Sequence, residues 1–234
     1  MRKEYVYSEY TYNSKNVIAR FSHRKRFSIA IKLVLEKEFN SILDYGAGDN
    51  KFLTELNLKR DNLNLFAFEP IMEITPPENI QVFRTLTEFE NKKFDVITCF
   101  ETLEHFNECS QSLMLKEFSD RLNTDGKVII SVPIEIGFVS LIKNMRRVTI
   151  GEHSYKYVRN SIKCFFGKQI PEIRNLDGFI DSHLGFNHKR LEKLMLKYFQ
   201  ITKIENSPFK SLSDQFNSQV FYILEKKKTI VSTL

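Results

Sequence analysis

Short runs dominated by apolar residues recur along this chain, at 41–44, 63–68, 80–83, 94–100, 127–132, 200–204 and 219–224. Their lengths suit strands, and most are apolar without alternation, as in a parallel sheet whose two faces are both covered. Between the runs the spacing turns helical. Phe27, Ile31, Val34 and Leu35 recur at three- and four-residue intervals after a candidate cap at Ser22. A short helix is expected over 51–58 with Phe52, Leu53 and Leu56 inward, another around Leu113, Leu115, Phe118 and Leu122, and a last one from about 187 to 198. Strands alternating with helices predict an α/β protein.

The first run ends in chemistry. Asp44 closes it and Tyr45-Gly46-Ala47-Gly48 follows. Glycines at 46 and 48 allow positive φ and let a ligand approach the main chain, and a carboxylate at the carboxyl end of a strand lies where open α/β sheets bind ligands. The third glycine of the dinucleotide pattern is replaced by Lys51, which disfavours a pyrophosphate. The second long run stops at Glu69-Pro70. A carboxylate there suits a ribose diol, a geometry common to NAD and S-adenosylmethionine sites.

Four segments in order carry a resemblance: Leu43-Asp44-Tyr45-Gly46-Ala47-Gly48, then Phe68-Glu69, then Phe94 through Phe106 with its Glu101-Thr102-Leu103-Glu104-His105, then Asn123-Thr124-Asp125-Gly126 leading into Val128 through Pro133. Together they resemble class I S-adenosylmethionine-dependent methyltransferases, in the small-molecule branch with a Glu-x-Leu-Glu-His segment. The resemblance implies a Rossmann-like, seven-stranded, mostly parallel sheet with helices on both faces and the last strand antiparallel. It places Asp44 near the methionyl amine, Tyr45, Gly46 and Gly48 along the cofactor, Glu69 with Pro70 at the ribose, Thr85 and Leu86 at the adenine edge, and Phe100 and Glu101 beside the cofactor after the fourth strand. By position after the fourth strand His105 is the first choice for general base, since imidazole titrates near neutrality, although in the family this histidine can instead be structural; His183, before the last helix, can reach the same mouth or serve a surface or capping role.

Composition sharpens the partner. The net charge of +6 is uneven: residues 1–30 hold seven Lys or Arg against two Glu, residues 137–176 hold eight against two, and the remainder is net acidic. Arg20, His23, Arg24 and Arg26 in the first segment, and Arg146, Arg147, His153 and Tyr155 in the second, are candidates to grip a small anionic acceptor. A looser similarity to bacterial surface-glycan methyltransferases implies a nucleotide- or lipid-linked sugar and polysaccharide biosynthesis. Basic residues among Tyr and Phe also fit RNA as acceptor, and the apolar stretch 138–142 flanked by Lys143, Arg146 and Arg147 fits a silent interaction module touching a membrane surface.

A single domain is expected, with an N-terminal helical arm (1–40), a cofactor-binding core (41–133), a substrate cap inserted after strand five (134–182) and a C-terminal helix and strand pair (183–234). No run reaches the ~20 apolar residues of a membrane span and the start is not signal-like, so a cytoplasmic protein is expected. Cys99, Cys109 and Cys164 show no paired spacing and read as reduced thiols, and no histidine or cysteine spacing matches a zinc pattern, so no metal is expected.

Overall fold

A computed structural model describes residues 17–73, 75–136 and 155–227, with the side chains of 17–23, 155–158 and 215 excepted. In chain order the elements are α1 (Val17–Leu35), β1 (Ser41–Tyr45), α2 (Lys51–Asn57), β2 (Asn64–Phe68), β3 (Ile80–Phe83), β4 (Phe94–Phe100), α3 (Glu108–Arg121), β5 (Leu122–Pro133), α4 (Tyr155–Phe165), α5 (Pro171–Arg174), α6 (His188–Tyr198), β6 (Phe199–Ser207) and β7 (Gln219–Lys226). The strands form one sheet in the order β3-β2-β1-β4-β5-β7-β6. Pairings from β3 across to β5 are parallel, and β7 runs antiparallel to both β5 and β6. The Rossmann-like fold with an antiparallel last strand is therefore present.

Side chains alternate across each strand, and here both sides are apolar. Ile42, Val96, Ile129, Phe221 and Ile223 pack under α1 and α2 with Ile29, Leu33, Val34, Phe52, Leu53 and Leu56. Leu43, Ile97, Val128, Ile130, Tyr222 and Leu224 pack under α3 and α6 with Leu115, Phe118, Leu191, Leu194 and Met195. Double coverage is why these strands read as continuous apolar runs.

Several expectations shift. Ser22 lies inside α1, which is already helical at Val17. Leu113 is 65% exposed: it sits two residues from Leu115, about 200° around the helix from the buried face. Strand β5 begins at Leu122, which pairs with Phe94, and the ladder then resumes at Lys127 with Val96, so residues 123–126 bulge between two paired stretches. Asn107 and Asn187 cap α3 and α6 through their side-chain oxygens.

The amino ends of the strands are tied by Asp95, which accepts hydrogen bonds from the amides of Asn40 and Ser41, the Ser41 hydroxyl and the Asn123 amide at 2.6–3.1 Å. The bulge passes so close that a Cβ on Gly126 would lie 2.8 Å from both the Asp95 carbonyl oxygen and Leu122 Cδ1. Backbone cannot yield as a side-chain tip can. Gly126→Ala should therefore lower stability by about 1–3 kcal/mol, seen as a lower urea midpoint at unchanged m. An unaltered midpoint would refute this account of the contact.

Candidate functional site

The crevice opens at the carboxyl ends of β1 and β4, where the strand order reverses direction along the sheet. Beyond β1 the chain takes positive φ at Gly46 (78°), Gly48 (55°) and Asn50 (60°), residue types that tolerate the left-handed region. The amides of Gly46 and Ala47 donate to the Phe68 carbonyl at 2.8 and 3.2 Å, stitching the turn to the end of β2. The two glycines serve different needs. A Cβ at Gly46 would lie 2.9 Å from Thr102 Cγ2, and closer still to its hydroxyl, whereas a Cβ at Gly48 would meet nothing within 4 Å. Gly46 lets the turn press against the segment after β4, and Gly48 leaves open space above the main chain.

Two carboxylates frame that space. Asp44 is buried and accepts a hydrogen bond from Thr98 Oγ1 at 2.7 Å. Burial pushes its carboxyl up to about 7, against the lowering effect of Thr98 and with smaller contributions from the charges of Glu69 and Asp49. Glu69, also buried, accepts from the Gly48 amide at 2.9 Å on one oxygen and from the Ile71 and Met72 amides at 3.0 and 3.1 Å on the other. Three main-chain donors thus hold it in place at the end of β2, with acceptor capacity to spare.

The remaining residues expected at the cofactor are placed unequally. Tyr45 turns into the α3 side of the core, 4.6 Å from the Phe68 ring and 4.9 Å from Phe118, because a residue following Asp44 on the same strand must face the opposite way. Its side chain is packed in the core. Pro70 is exposed after Glu69. Thr85 gives its hydroxyl and amide to the Glu88 carboxylate, at 2.9 and 2.7 Å, and Leu86 is exposed at the rim after β3. The Phe100 ring packs edge-on against Phe52 at 4.9 Å. The Glu101 carboxylate receives Arg26 at 3.3 Å and the Gln219 amide.

Beyond Thr102 a second group assembles. His105 Nδ1 lies 2.8 Å from the Ile180 carbonyl oxygen, and His183 Nε2 lies 3.3 Å from His105 Nε2, across 78 residues of sequence. Burial lowers the His105 pKa, opposed by the Ile180 hydrogen bond. Glu104, fully buried, has no hydrogen-bond partner on either carboxylate oxygen; burial first, then the charge of Glu101, push its carboxyl well above the usual range. One ligand atom from each of Glu104, His105 and His183 falls within 4.8 Å of the others. Three side chains that could hold a metal ion therefore lie together, and local spacing cannot register residues that the fold joins from afar.

Arg174 organises this corner. Its guanidinium is buried and donates to the carbonyls of Glu104 (2.6 Å), Phe106 (3.3 Å) and Ser182 (3.1 Å). The sequence shows it only as one more basic residue of a basic stretch. Glu104 and Gln219 were likewise without an assigned role. A buried fate for Glu104 is signalled only by the apolar Leu103 and Phe106 beside it.

Of the candidate acceptor residues, Arg24 is exposed on α1 and Arg26 is paired with Glu101. Arg146, Arg147, His153 and the stretch 138–142 lie outside the described residues, as do the side chains of Arg20, His23 and Tyr155. The three cysteines are free, with Cys99 and Cys164 buried. Among the described residues no helix is long and apolar enough to cross a membrane. A cleft lined by Asn40, Asp95, Asn123 and Lys127 lies at the amino ends of the strands, away from the turn and its carboxylates.

Solved structures share this fold. The plantazolicin methyltransferase BpumL, in complex with a triazolic desmethylPZN analog and S-adenosylhomocysteine, superposes with a TM-score of 0.57 at 16% identity, covering 94% of this chain and 90% of that one. The PH0226 protein from Pyrococcus horikoshii OT3 gives 0.57 at 17% identity, with 95% and 97% covered. The N-methyltransferase NodS from Bradyrhizobium japonicum WM9, bound to S-adenosylhomocysteine, gives 0.52 at 10% identity, with 92% and 90% covered. None of the curated proteins matches this chain in sequence. A methyltransferase-domain family model matches residues 17–167, well over half of the chain. With that match and the turn described above, the chain belongs to the class I S-adenosylmethionine-dependent methyltransferases.

Proposed function

We propose that this methyltransferase acts on an oxygen of a small anionic acceptor, of the nucleotide- or lipid-linked sugar type used in surface-glycan synthesis. The observation that carries the cofactor half is the pairing of an unobstructed Gly48 with a Glu69 carboxylate already fixed by three amides. When bound, S-adenosylmethionine supplies a sulfonium methyl group, which an acceptor oxygen takes in line while sulfur keeps the bonding pair and the hydroxyl proton is released to water. Asp44 would hold the amino group, the main chain at Gly46 and Gly48 the amino-acid and ribose portions, and Glu69 the ribose hydroxyls. Support for an anionic acceptor comes from the two basic segments, 1–30 and 137–176, that flank a net acidic remainder. His105 and His183, whose Nε2 atoms lie 3.3 Å apart, are the side chains that would meet the acceptor.

Calorimetric titration with S-adenosylmethionine tests the cofactor half. Glu69→Ala should weaken binding by about 1.5–3 kcal/mol, the range for hydrogen bonds to a charged group, and Glu69→Gln by less, because its side-chain oxygen can still accept an amide. Full affinity in Glu69→Ala would remove Glu69 from the ribose. The acceptor half is tested by incubating the enzyme and S-adenosylmethionine with nucleotide-linked sugars, acidic and neutral, and measuring S-adenosylhomocysteine release. Turnover confined to neutral acceptors would reject the anionic assignment.

The raised Asp44 pKa yields a pH test. A cofactor ammonium binds the ionised carboxylate, so affinity should climb as pH rises through about 7, by up to roughly tenfold per pH unit on the acid side. Asp44→Asn should be weaker at neutral pH and flat over the same interval. A climb that persists in Asp44→Asn would assign the titration to another group.

A further inference from the structure

The geometry points to a divalent-cation site formed by Glu104, His105 and His183, taking a first-row transition-metal ion that holds the acceptor's oxygen beside the Gly46 turn. The part played by the ion rests on the methyl-transfer function above, whereas its binding does not.

Four observations converge. The first is a buried carboxylate without a donor: both Glu104 oxygens lack partners, and the guanidinium of nearby Arg174 donates to main-chain carbonyls. Carboxylates buried in proteins are ordinarily paired or bound to metal. The second is the tautomer of His105. Its Nδ1 must carry the proton to donate to the Ile180 carbonyl at 2.8 Å, which turns the lone pair of Nε2 toward His183 and Glu104. A histidine whose other ring nitrogen is fixed by a backbone carbonyl is the usual arrangement of a metal ligand.

The third is the spacing. Two nitrogens bonded to one ion at ~2.0–2.1 Å and a tetrahedral angle stand ~3.3 Å apart, and the two Nε2 atoms are 3.3 Å apart here. Glu104 Oε1 is 4.0 Å from His105 Nε2, so closing the shell takes only a small side-chain rotation. The fourth is rigidity. Arg174 pins the main chain on both sides of the cluster, at Glu104, Phe106 and Ser182, and the Phe179 ring stacks on His105 at 4.6 Å and 14°.

Two imidazoles and one carboxylate favour the transition series over Mg²⁺ or Ca²⁺, which prefer oxygen. Three protein ligands leave a position for an acceptor oxygen. Thr102, whose side chain abuts Gly46, lies two residues before Glu104, so the cluster borders the open turn. This assigns the two imidazoles to an ion rather than to proton transfer. It also gives an anionic acceptor a cationic partner in a corner crowded by Glu101, Glu104 and the buried Glu135.

The test uses chelator-treated protein titrated calorimetrically with Co²⁺ and, separately, Zn²⁺. One ion per chain is expected, with Zn²⁺ raising the melting temperature. His183→Ala should lose affinity by at least about 10- to 100-fold, the cost of disturbing even the groups behind a ligand, and should lose the melting shift. Glu104→Gln should behave alike, and the exposed Glu108→Gln should match wild type. S-adenosylmethionine binding by His183→Ala shows that this variant is folded. Absence of saturable binding, or binding unaltered in folded His183→Ala, overturns the site. Failure of the wild type to bind S-adenosylmethionine while binding the ion would sink the methyl-transfer function and leave the site standing.

Discussion

The open end of this molecule depends on one close approach, between the turn after β1 and the segment after β4. Neighbouring parallel strands bring the two chain exits side by side, and only a residue without a Cβ fits at Gly46 against Thr102. From that contact the rest is set. The turn must bend through positive φ, its next amides reach the Phe68 carbonyl, and Glu69 captures the Gly48 amide. The segment from Thr102 to His105 is thereby held at the edge of the turn.

A second tie comes from the end of α5. Arg174 carries a charge into a largely buried corner, where burial lowers its pKa against the attraction of Glu104. It is offset by main-chain carbonyls of the short 3-10 turn Leu103–His105, of Phe106 at its end and of the loop at Ser182. Such carbonyls need donors when buried, and one planar guanidinium serves three of them. The result locks the loop bearing Glu104 and His105 to the loop bearing His183. The arrangement is built on two loops but is held by a rigid group, which suits a site that must keep its geometry.

Charge at the mouth is the counterpoint. The carboxyl ends of β1, β2, β4 and β5 carry Asp44, Glu69, Glu101, Glu104 and Glu135, while Arg26 and Arg174 are already engaged. Cations are the natural guests there, and at Glu104 the guest we propose is a metal ion. The basic segments that bias the whole chain positive lie outside this ring of carboxylates in sequence. Overall charge and the make-up of this end of the sheet therefore differ, and the nearby side chains govern what sits next to the reacting atoms.

The strands, the double coverage of the sheet, the glycine turn after β1 and the carboxylates at the ends of β1 and β2 were legible in the sequence, because each is written in neighbouring residues: runs of apolar side chains, two glycines one residue apart, an acid at the end of a run. Side-chain direction was less legible. Tyr45 looks like part of the ligand turn until the strand's alternation sends it into the core, and Leu113 counts as apolar until the helix phase sets it outward. The cluster at Glu104 and the anchor at Arg174 were not legible. His183 and His105 are separated by 78 residues and Arg174 by 70 from the Glu104 carbonyl it binds, so no local period connects them. Periodicity reports which residues avoid water within one element, whereas the meeting of loops is decided by how elements pack, and this chain's metal-competent corner exists only after that packing is complete.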